Sequence, residues 1–327
     1  MELTGLHHVS SLTALAANNV DFYTRVLGLR LVKKTVNQDD ITSYHLYYAD
    51  NIGHPGTTVT FFDIPDLAPN RPGTSSISRI TLRVTGTDTL KWWADRFDEL
   101  GVKHEGVATV SGRSVLNFTD PEGQQLALVD DSGAPLAGGT PWEKSTTPAP
   151  QAIKGLGAVT LTVRDIEPTA LVLEQVMGFK ATGKYNAPEG PEREITVFST
   201  GVGGPGAEVH VDPRPDLPRE RLGQGGVHHV AYRVPSYEEH LAWLDRLESV
   251  GLRTSGLVDR FYFKSIYFRE PNGILFELAT DGPGFIDSEE DAEHLGQKLA
   301  LPPFLENKRD FIEASLIPLD TTAASAR

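Results

Sequence analysis

Four times in 327 residues the chain repeats one unit: an alternating strand, a helix, a glycine followed by a hydrophobe, then further strands. A repeat constrains the fold more than any single motif, because each copy must bury its apolar face against another. The first strands begin near LHHVSSL (6–12), SRITLRV (78–84), GAVTLTV (157–163) and HHVAYRV (228–234), and their β-branched, period-2 character predicts half-buried strands. Segment 88–100 places Leu90, Trp93, Phe97 and Leu100 on one helical face, and 237–250 does so with Leu241, Leu244 and Leu247. Ser236 followed by Glu239 reads as a capping box, and Pro168 suits a first helical turn. Gly28-Leu29, Gly101-Val102, Gly178-Phe179 and Gly251-Leu252 stop the helices, each glycine taking the left-handed conformation while the next hydrophobe packs back. Each unit closes on a hairpin: Pro55-Gly56 and Pro205-Gly206 in units 1 and 3, Pro121-Glu122-Gly123 and Pro271-Asn272-Gly273 in units 2 and 4. That alternation points to duplication of an older two-unit piece.

The expected class is α+β, with four βαβββ modules. Modules 1 and 2 occupy 1–132 as an N-terminal domain, and modules 3 and 4 occupy 156–281 as a C-terminal domain. The Pro-, Gly-, Ser- and Thr-rich segment 133–155 reads as the linker between them. Residues 282–327 lie outside the repeat as a packing arm, with an acidic run from Asp287 to Glu293, a short helix at 304–316 and a frayed polar end.

Composition narrows the chemistry. Thirty Lys and Arg stand against 44 Asp and Glu, a net charge of −14 with no basic block, which argues against nucleic acid and anionic membrane as partners. The absence of cysteine removes disulfides, zinc–thiolate sites and thiol nucleophiles, so any metal must be held by His and carboxylates. The N-terminal stretch has no basic n-region and no long apolar run occurs, giving an expectation of a cytoplasmic protein.

Aligned on their glycines, the four modules carry His8, Arg79, Ala158 and His229 at one first-strand position. They carry Thr60, Ala127, His210 and Glu277 four residues past the hairpin glycine. If modules 1 and 4 face each other, His8, His229 and Glu277 make a two-His, one-carboxylate set that leaves open positions and suits Fe(II). Pairing modules 3 and 4 instead offers His210, His229 and Glu277, and periodicity alone leaves both open. Glu277 sits in the apolar strand GILFELAT, where a carboxylate calls for a cation beside it. If Pro271-Asn272-Gly273 is a three-residue connection, Tyr267 lies opposite Glu277 and looks into the same cleft. Ser10 shares the face of His8, whereas strict alternation turns His7 and His228 to the opposite face. Arg260, in VDRFYFKS, reads as a loop or strand-edge arginine.

Together, LHHV, FYTRVLGLRLVKKTVN, YHLYYAD, PGTTVTFF, GVHHVAYRV, DRFYFKSIYFREPNGILFELATD and LGQKLALPPFLE resemble the ring-cleaving dioxygenases of the vicinal oxygen chelate superfamily. The resemblance is to the hydroquinone-type branch and covers nearly the whole chain. It implies two curved mixed-sheet half-barrels of the glyoxalase and extradiol dioxygenase kind. It implies His8, His229 and Glu277 as metal ligands, favouring the pairing of modules 1 and 4. It also implies supporting catalytic roles for His7, Ser10, His228, Arg260 and Tyr267; relatives can carry Thr at position 10, so a hydroxyl is kept.

The activity expected from that resemblance is opening of a substituted hydroquinone or catechol-type diol by dioxygen. Fe(II) is the expected ion, with Mn(II) as the alternative, and homo-oligomerisation is left open. Two other readings stand beside it. One is a non-redox, metal-dependent glyoxalase-like isomerase, thiol transferase or lyase; the other is a resistance protein that binds an aromatic drug.

Overall fold

A computed structural model describes residues 1–286 and 290–322. Module 1 runs β1 (Leu6–Thr13), α1 (Ala16–Asp21) with a π-helical turn over Phe22–Val26, β2 (Arg30–Asn37), β3 (Asp40–Ala49) and β4 (Thr58–Asp63). Module 2 runs β5 (Ser76–Val84), α2 (Thr87–Leu100), β6 (His104–Val110), β7 (Arg113–Thr119) and β8 (Gln125–Asp130). Module 3 follows with β9 (Gly155–Val163), α3 (Ile166–Leu171) and its π turn Val172–Val176, β10 (Lys180–Ala187), β11 (Gly190–Ser199) and β12 (Glu208–Pro213). Module 4 comprises β13 (Val227–Val234), α4 (Tyr237–Ser249), β14 (Val258–Asp259), β15 (Phe263–Arg269) and β16 (Leu275–Pro283). Modules 1 and 3 thus share a short helix ending in a π turn, and modules 2 and 4 a regular helix of three to four turns, the same alternation as their hairpin prolines.

The strands form two eight-stranded mixed sheets among the described residues, ordered β14-β15-β16-β13-β1-β4-β3-β2 and β10-β11-β12-β9-β5-β8-β7-β6. Module 1 is therefore hydrogen-bonded to module 4 through β1 and β13, and module 2 to module 3 through β5 and β9. The rival pairing of module 3 with module 4 is overturned by these ladders. Each sheet draws on both halves of the sequence, and the helices cover the outer faces over a core that includes Trp93, Phe97, Leu161, Tyr232 and Phe276.

Local signals explain most of the elements. Gly28, Gly101, Gly178 and Gly251 all lie at φ between 69° and 79°, the left-handed cap that a Cβ would strain. Ser236 accepts from the Glu239 amide at 3.2 Å, the cap of α4. The buried face of α4 differs from the leucine stripe: His240, Trp243 and Leu247 are buried, whereas Leu241 is 39% exposed. His240 is drawn in because its Nε2 bonds the Leu278 carbonyl at 3.0 Å, which rotates the helix by about one position.

The connection 133–155 is an ordered strap. Arg83 donates to the Leu136 and Ala137 carbonyls, and Trp93 Nε1 donates to the Gln151 carbonyl. In the arm, Glu306–Lys308 is a 3-10 turn and Arg309–Ser315 is α5. Of the expected acidic run, 287–289 lie outside the described residues, as does the polar end at 323–327. The arm grips module 1: Lys33 Nζ reaches Glu290 Oε2 at 2.7 Å, and the Ala300 amide donates to the Lys34 carbonyl. No helix among the described residues is long and apolar enough to cross a membrane.

Candidate metal centre

The β1–β13 ladder brings His8 and His229 to one point, and the parallel pairing of β13 with β16 brings Glu277 beside them. His8 Nε2 and His229 Nε2 are 3.3 Å apart, and Glu277 Oε2 lies 3.2 Å from the first and 2.9 Å from the second. Three donors at such spacing fit one ion at roughly 2.0–2.2 Å from each and leave its outer side open. Among the described residues this is the only cluster of His, Asp and Glu donor atoms with that convergence. All three side chains are buried, and Glu277 Oε2 has no hydrogen-bond donor of its own. A buried carboxylate oxygen facing two imidazole nitrogens fits a cation at their centre. The other oxygen of Glu277, Oε1, accepts from Ser265 Oγ at 2.5 Å.

The hydrogen-bond chain behind His8 fixes its tautomer. His7 Nε2 lies 3.0 Å from the Thr280 carbonyl, which can only accept, so that nitrogen carries the proton. Burial, and then the neighbouring His8, pushes His7 down to about 3, so its imidazole is neutral and its Nδ1 is a bare acceptor. That Nδ1 stands 2.9 Å from His8 Nδ1, which must donate, leaving the His8 Nε2 lone pair aimed at the cluster. His228 meets His229 in the same way, Nδ1 to Nδ1 at 2.8 Å. Burial, and then His229, likewise pushes His228 down to about 3.

Strict alternation turned His7 and His228 away from the cluster, and that expectation is corrected. Between Leu6↔Tyr232 and His8↔Ala231, β1 carries an extra residue, His7; between Ser10↔His229 and Ser11↔Val227, β13 carries an extra residue, His228. The first histidine of each pair is thus the inserted residue of a β-bulge, which re-aims its side chain beside the second.

The donors open onto a cleft of about 210 Å³ lined by His45, Tyr47, Phe62, His228, Phe263 and Tyr267, with Asn37, Gln38, Asp39 and Arg260 at one wall. Tyr267 is opposite Glu277 in the β15–β16 ladder, as the hairpin length requires. Its hydroxyl accepts from Arg260 Nε at 3.2 Å, and Arg260 in turn grips Asp39 through two bonds of 3.1 and 2.8 Å. That pair spans the cleft from module 4 to the β2–β3 turn. Ser10 is buried with its hydroxyl on Thr60 Oγ1 at 2.7 Å and does not line the cleft. His210 is on the other sheet, bonded to Tyr185 and Glu208.

Several lining residues, among them Asp39, Phe62, Phe263, His45 and Tyr47, carry no signal in the repeat alignment. His45 bonds Thr60 Oγ1 through Nε2 and Tyr47 Oη through Nδ1, both at 2.9 Å, and burial pushes its imidazole well below the usual range. The signal was present in YHLYYAD: Tyr47 pairs with Thr60 and His45 with Phe62, so both share the inward face of β3.

Known proteins give this geometry a family. The model for the Glyoxalase/Bleomycin resistance protein/Dioxygenase superfamily matches residues 5–128 and 155–278. MhqA of Bacillus subtilis (strain 168), named by inference a ring-cleaving dioxygenase, is 49% identical over 320 residues, 98% of this chain and 100% of that protein. The chlorohydroquinone/hydroquinone 1,2-dioxygenase of Sphingobium indicum is 30% identical over 314 residues, covering 94% of both chains. A crystal structure of a Bacillus subtilis protein, titled by inference a dioxygenase, superposes with a TM-score of 0.88 at 34% identity over 98% of each chain. The chain belongs to the Glyoxalase/Bleomycin resistance protein/Dioxygenase superfamily and is close kin to a named ring-cleaving dioxygenase.

Proposed function

We propose that this protein is an Fe(II)-dependent dioxygenase that opens a hydroquinone or catechol-type ring, with His8, His229 and Glu277 as the metal ligands and Mn(II) as the alternative ion. The observation that carries the reading is the convergence of those three donors on a cleft with an open side. Kinship supports the substrate class, since one relative is named for chlorohydroquinone and hydroquinone. The cavity is also of one-ring size: an enclosed space of about 150 Å³ accepts benzene, against about 210 Å³ here.

Fe(II), when bound, supplies the one-electron chemistry through which dioxygen reacts with an electron-rich ring, and the open side of a three-ligand site gives both reactants access. The protein's own groups do the rest. Phe62 and Phe263 flank the cleft and exclude water from the ring. His228, neutral at pH 7 and lining the cleft, accepts from His229 at Nδ1 and so carries its proton on Nε2, a donor that can hydrogen-bond a substrate oxygen. Tyr267 and Arg260 are placed to hydrogen-bond a substrate oxygen and so orient the diol. A para-diol presents one oxygen to the centre, a catechol two.

Thr60 bears on the non-redox reading. It occupies the fourth equivalent position, but its hydroxyl is engaged by Ser10 and His45, so the set remains at three donors. Anaerobic loading of the full chain with Fe(II), Zn(II) or Ni(II), followed by dioxygen uptake with hydroquinone, methylhydroquinone and catechol, tests the proposal. Uptake equimolar with ring loss in the Fe(II) protein alone is expected. Dioxygen-independent turnover with Zn(II) or Ni(II) would replace it with an isomerase or lyase.

A further inference from the structure

The sheet of modules 2 and 3 encloses its own cavity, about 380 Å³, larger than the metal cleft. It is the pseudo-symmetric counterpart of that cleft down to its irregularities. Arg79 pairs with Thr160 as His229 pairs with Ser10, and Thr81 pairs with Ala127 as Ala231 pairs with Glu277. Bulges recur at the corresponding places between Ile77 and Arg79 and between Ile80 and Leu82. Ala158 and Ala127 therefore stand where His8 and Glu277 stand in the other cleft, and Arg79 stands where His229 does. Two truncated positions leave room, and a guanidinium supplies positive charge where the other cleft gathers a cation.

The charges around the cavity single out Arg79. Arg113 is bound to Glu208 by two bonds of 2.6 and 2.8 Å, Arg193 to Asp212 at 2.7 Å, and Arg214 to Asp216 at 2.7 Å. Glu220, the lining carboxyl with no cationic partner among the described residues, accepts from Asn70 at 3.0 Å; burial pushes it up to about 7. Arg79 alone among the lining cations has no ion pair among the described residues, and its Nε is buried without a hydrogen-bond partner. An unmet donor on a guanidinium calls for an acceptor, and a carboxylate matches its fork geometry. The wall is mixed: Val115, Val129 and Ile195 supply an apolar patch, beside polar side chains that include Tyr185, Thr160, Asn117 and Gln124.

We propose that this second cavity is a binding site for a small, ring-sized organic monocarboxylate, its carboxylate on Arg79 and its apolar body against Val115, Val129 and Ile195. One uncompensated cation selects a monoanion, and the volume lies within the range of small-molecule sites. The site needs no metal and is independent of the reaction assigned to the other cleft.

Calorimetric titration of the full, metal-free chain with sodium benzoate tests it, with benzamide and inorganic phosphate as comparison probes. The variants are Arg79→Gln, Arg79→Lys, Ala127→Leu and His229→Ala, each checked for unchanged melting temperature. A single benzoate site is expected that survives His229→Ala, weakens about tenfold or more in Arg79→Gln, is partly kept by Arg79→Lys and is lost in Ala127→Leu. Benzamide should bind about tenfold more weakly, and phosphate should not displace benzoate. Absence of saturable benzoate binding, binding indifferent to Arg79→Gln and Ala127→Leu, loss in His229→Ala, or displacement by phosphate would each overturn the proposal.

Discussion

His7 and His8 are adjacent in sequence, yet their rings meet Nδ1 to Nδ1 at 2.9 Å because His7 is the inserted residue of a bulge. The Thr280 carbonyl holds the proton on His7 Nε2, so His7 accepts from His8 and keeps the His8 lone pair on the metal side. His7→Phe keeps a ring at this site but removes the acceptor. A loss of about 10–100-fold in metal affinity is expected, the usual effect of removing such a partner. Competition against a calibrated chelator measures it, and unchanged affinity would mean that the bulge serves packing only.

Ser265 is the only described hydrogen-bond donor to Glu277 Oε1, at 2.5 Å. In Ser265→Ala the buried carboxylate loses that bond and the constraint on its rotation. Metal affinity should fall by about tenfold while the fold persists, since a hydrogen bond to a charged group contributes about 1.5–3 kcal/mol. Ser265→Thr should restore most of it; chelator competition on the two variants gives the comparison.

The Arg260–Asp39 pair closes one wall of the cleft from opposite modules. Asp39 is mostly exposed, so Asp39→Asn should cost at most about 1 kcal/mol of stability. Arg260 then loses its anchor, and KM for the diol should rise several-fold with metal content unchanged. Arg260→Lys, which cannot reproduce the two-pronged contact, should lower kcat as well. Steady-state kinetics on both variants, beside metal analysis, separates positioning from metal binding.

Gly296 ties the arm to module 1. A Cβ there would stand 2.1 Å from the Leu31 carbonyl oxygen, and φ is +73°. Gly296→Ala should destabilise the docked arm by about 1–3 kcal/mol. Faster amide exchange is expected at Ala300, whose N–H bonds the Lys34 carbonyl, with slower change in the second sheet. Tyr47 connects this to the cleft, since Phe285 packs on it at 5.1 Å, so KM should rise as well.

What the sequence made legible follows from what is local. Glycine caps and hairpin lengths act over a few residues, so the four helix stops and the Tyr267–Glu277 register could be read directly. Recurrence then carried the strand positions of His8, His229 and Glu277. Features set by the partner strand were not readable in the same way. The bulges at His7 and His228 exist only in the β1–β13 pairing, and period-2 reasoning on either strand alone turns both side chains the wrong way. The buried face of α4 followed a polar contact, His240 to Leu278, that hydrophobic periodicity cannot register. His45 was missed because it has no histidine counterpart in the other modules; its place depends on the β3–β4 register.

The central claim is that the metal is held between modules 1 and 4 and drives ring opening there. Anaerobic Fe(II) reconstitution of wild type, His8→Ala and His210→Ala, with iron per chain and dioxygen uptake on hydroquinone measured together, tests it most directly. The account predicts that His8→Ala loses both iron and uptake while His210→Ala keeps both. Retention of iron and uptake by His8→Ala, or their loss in His210→Ala alone, would contradict it.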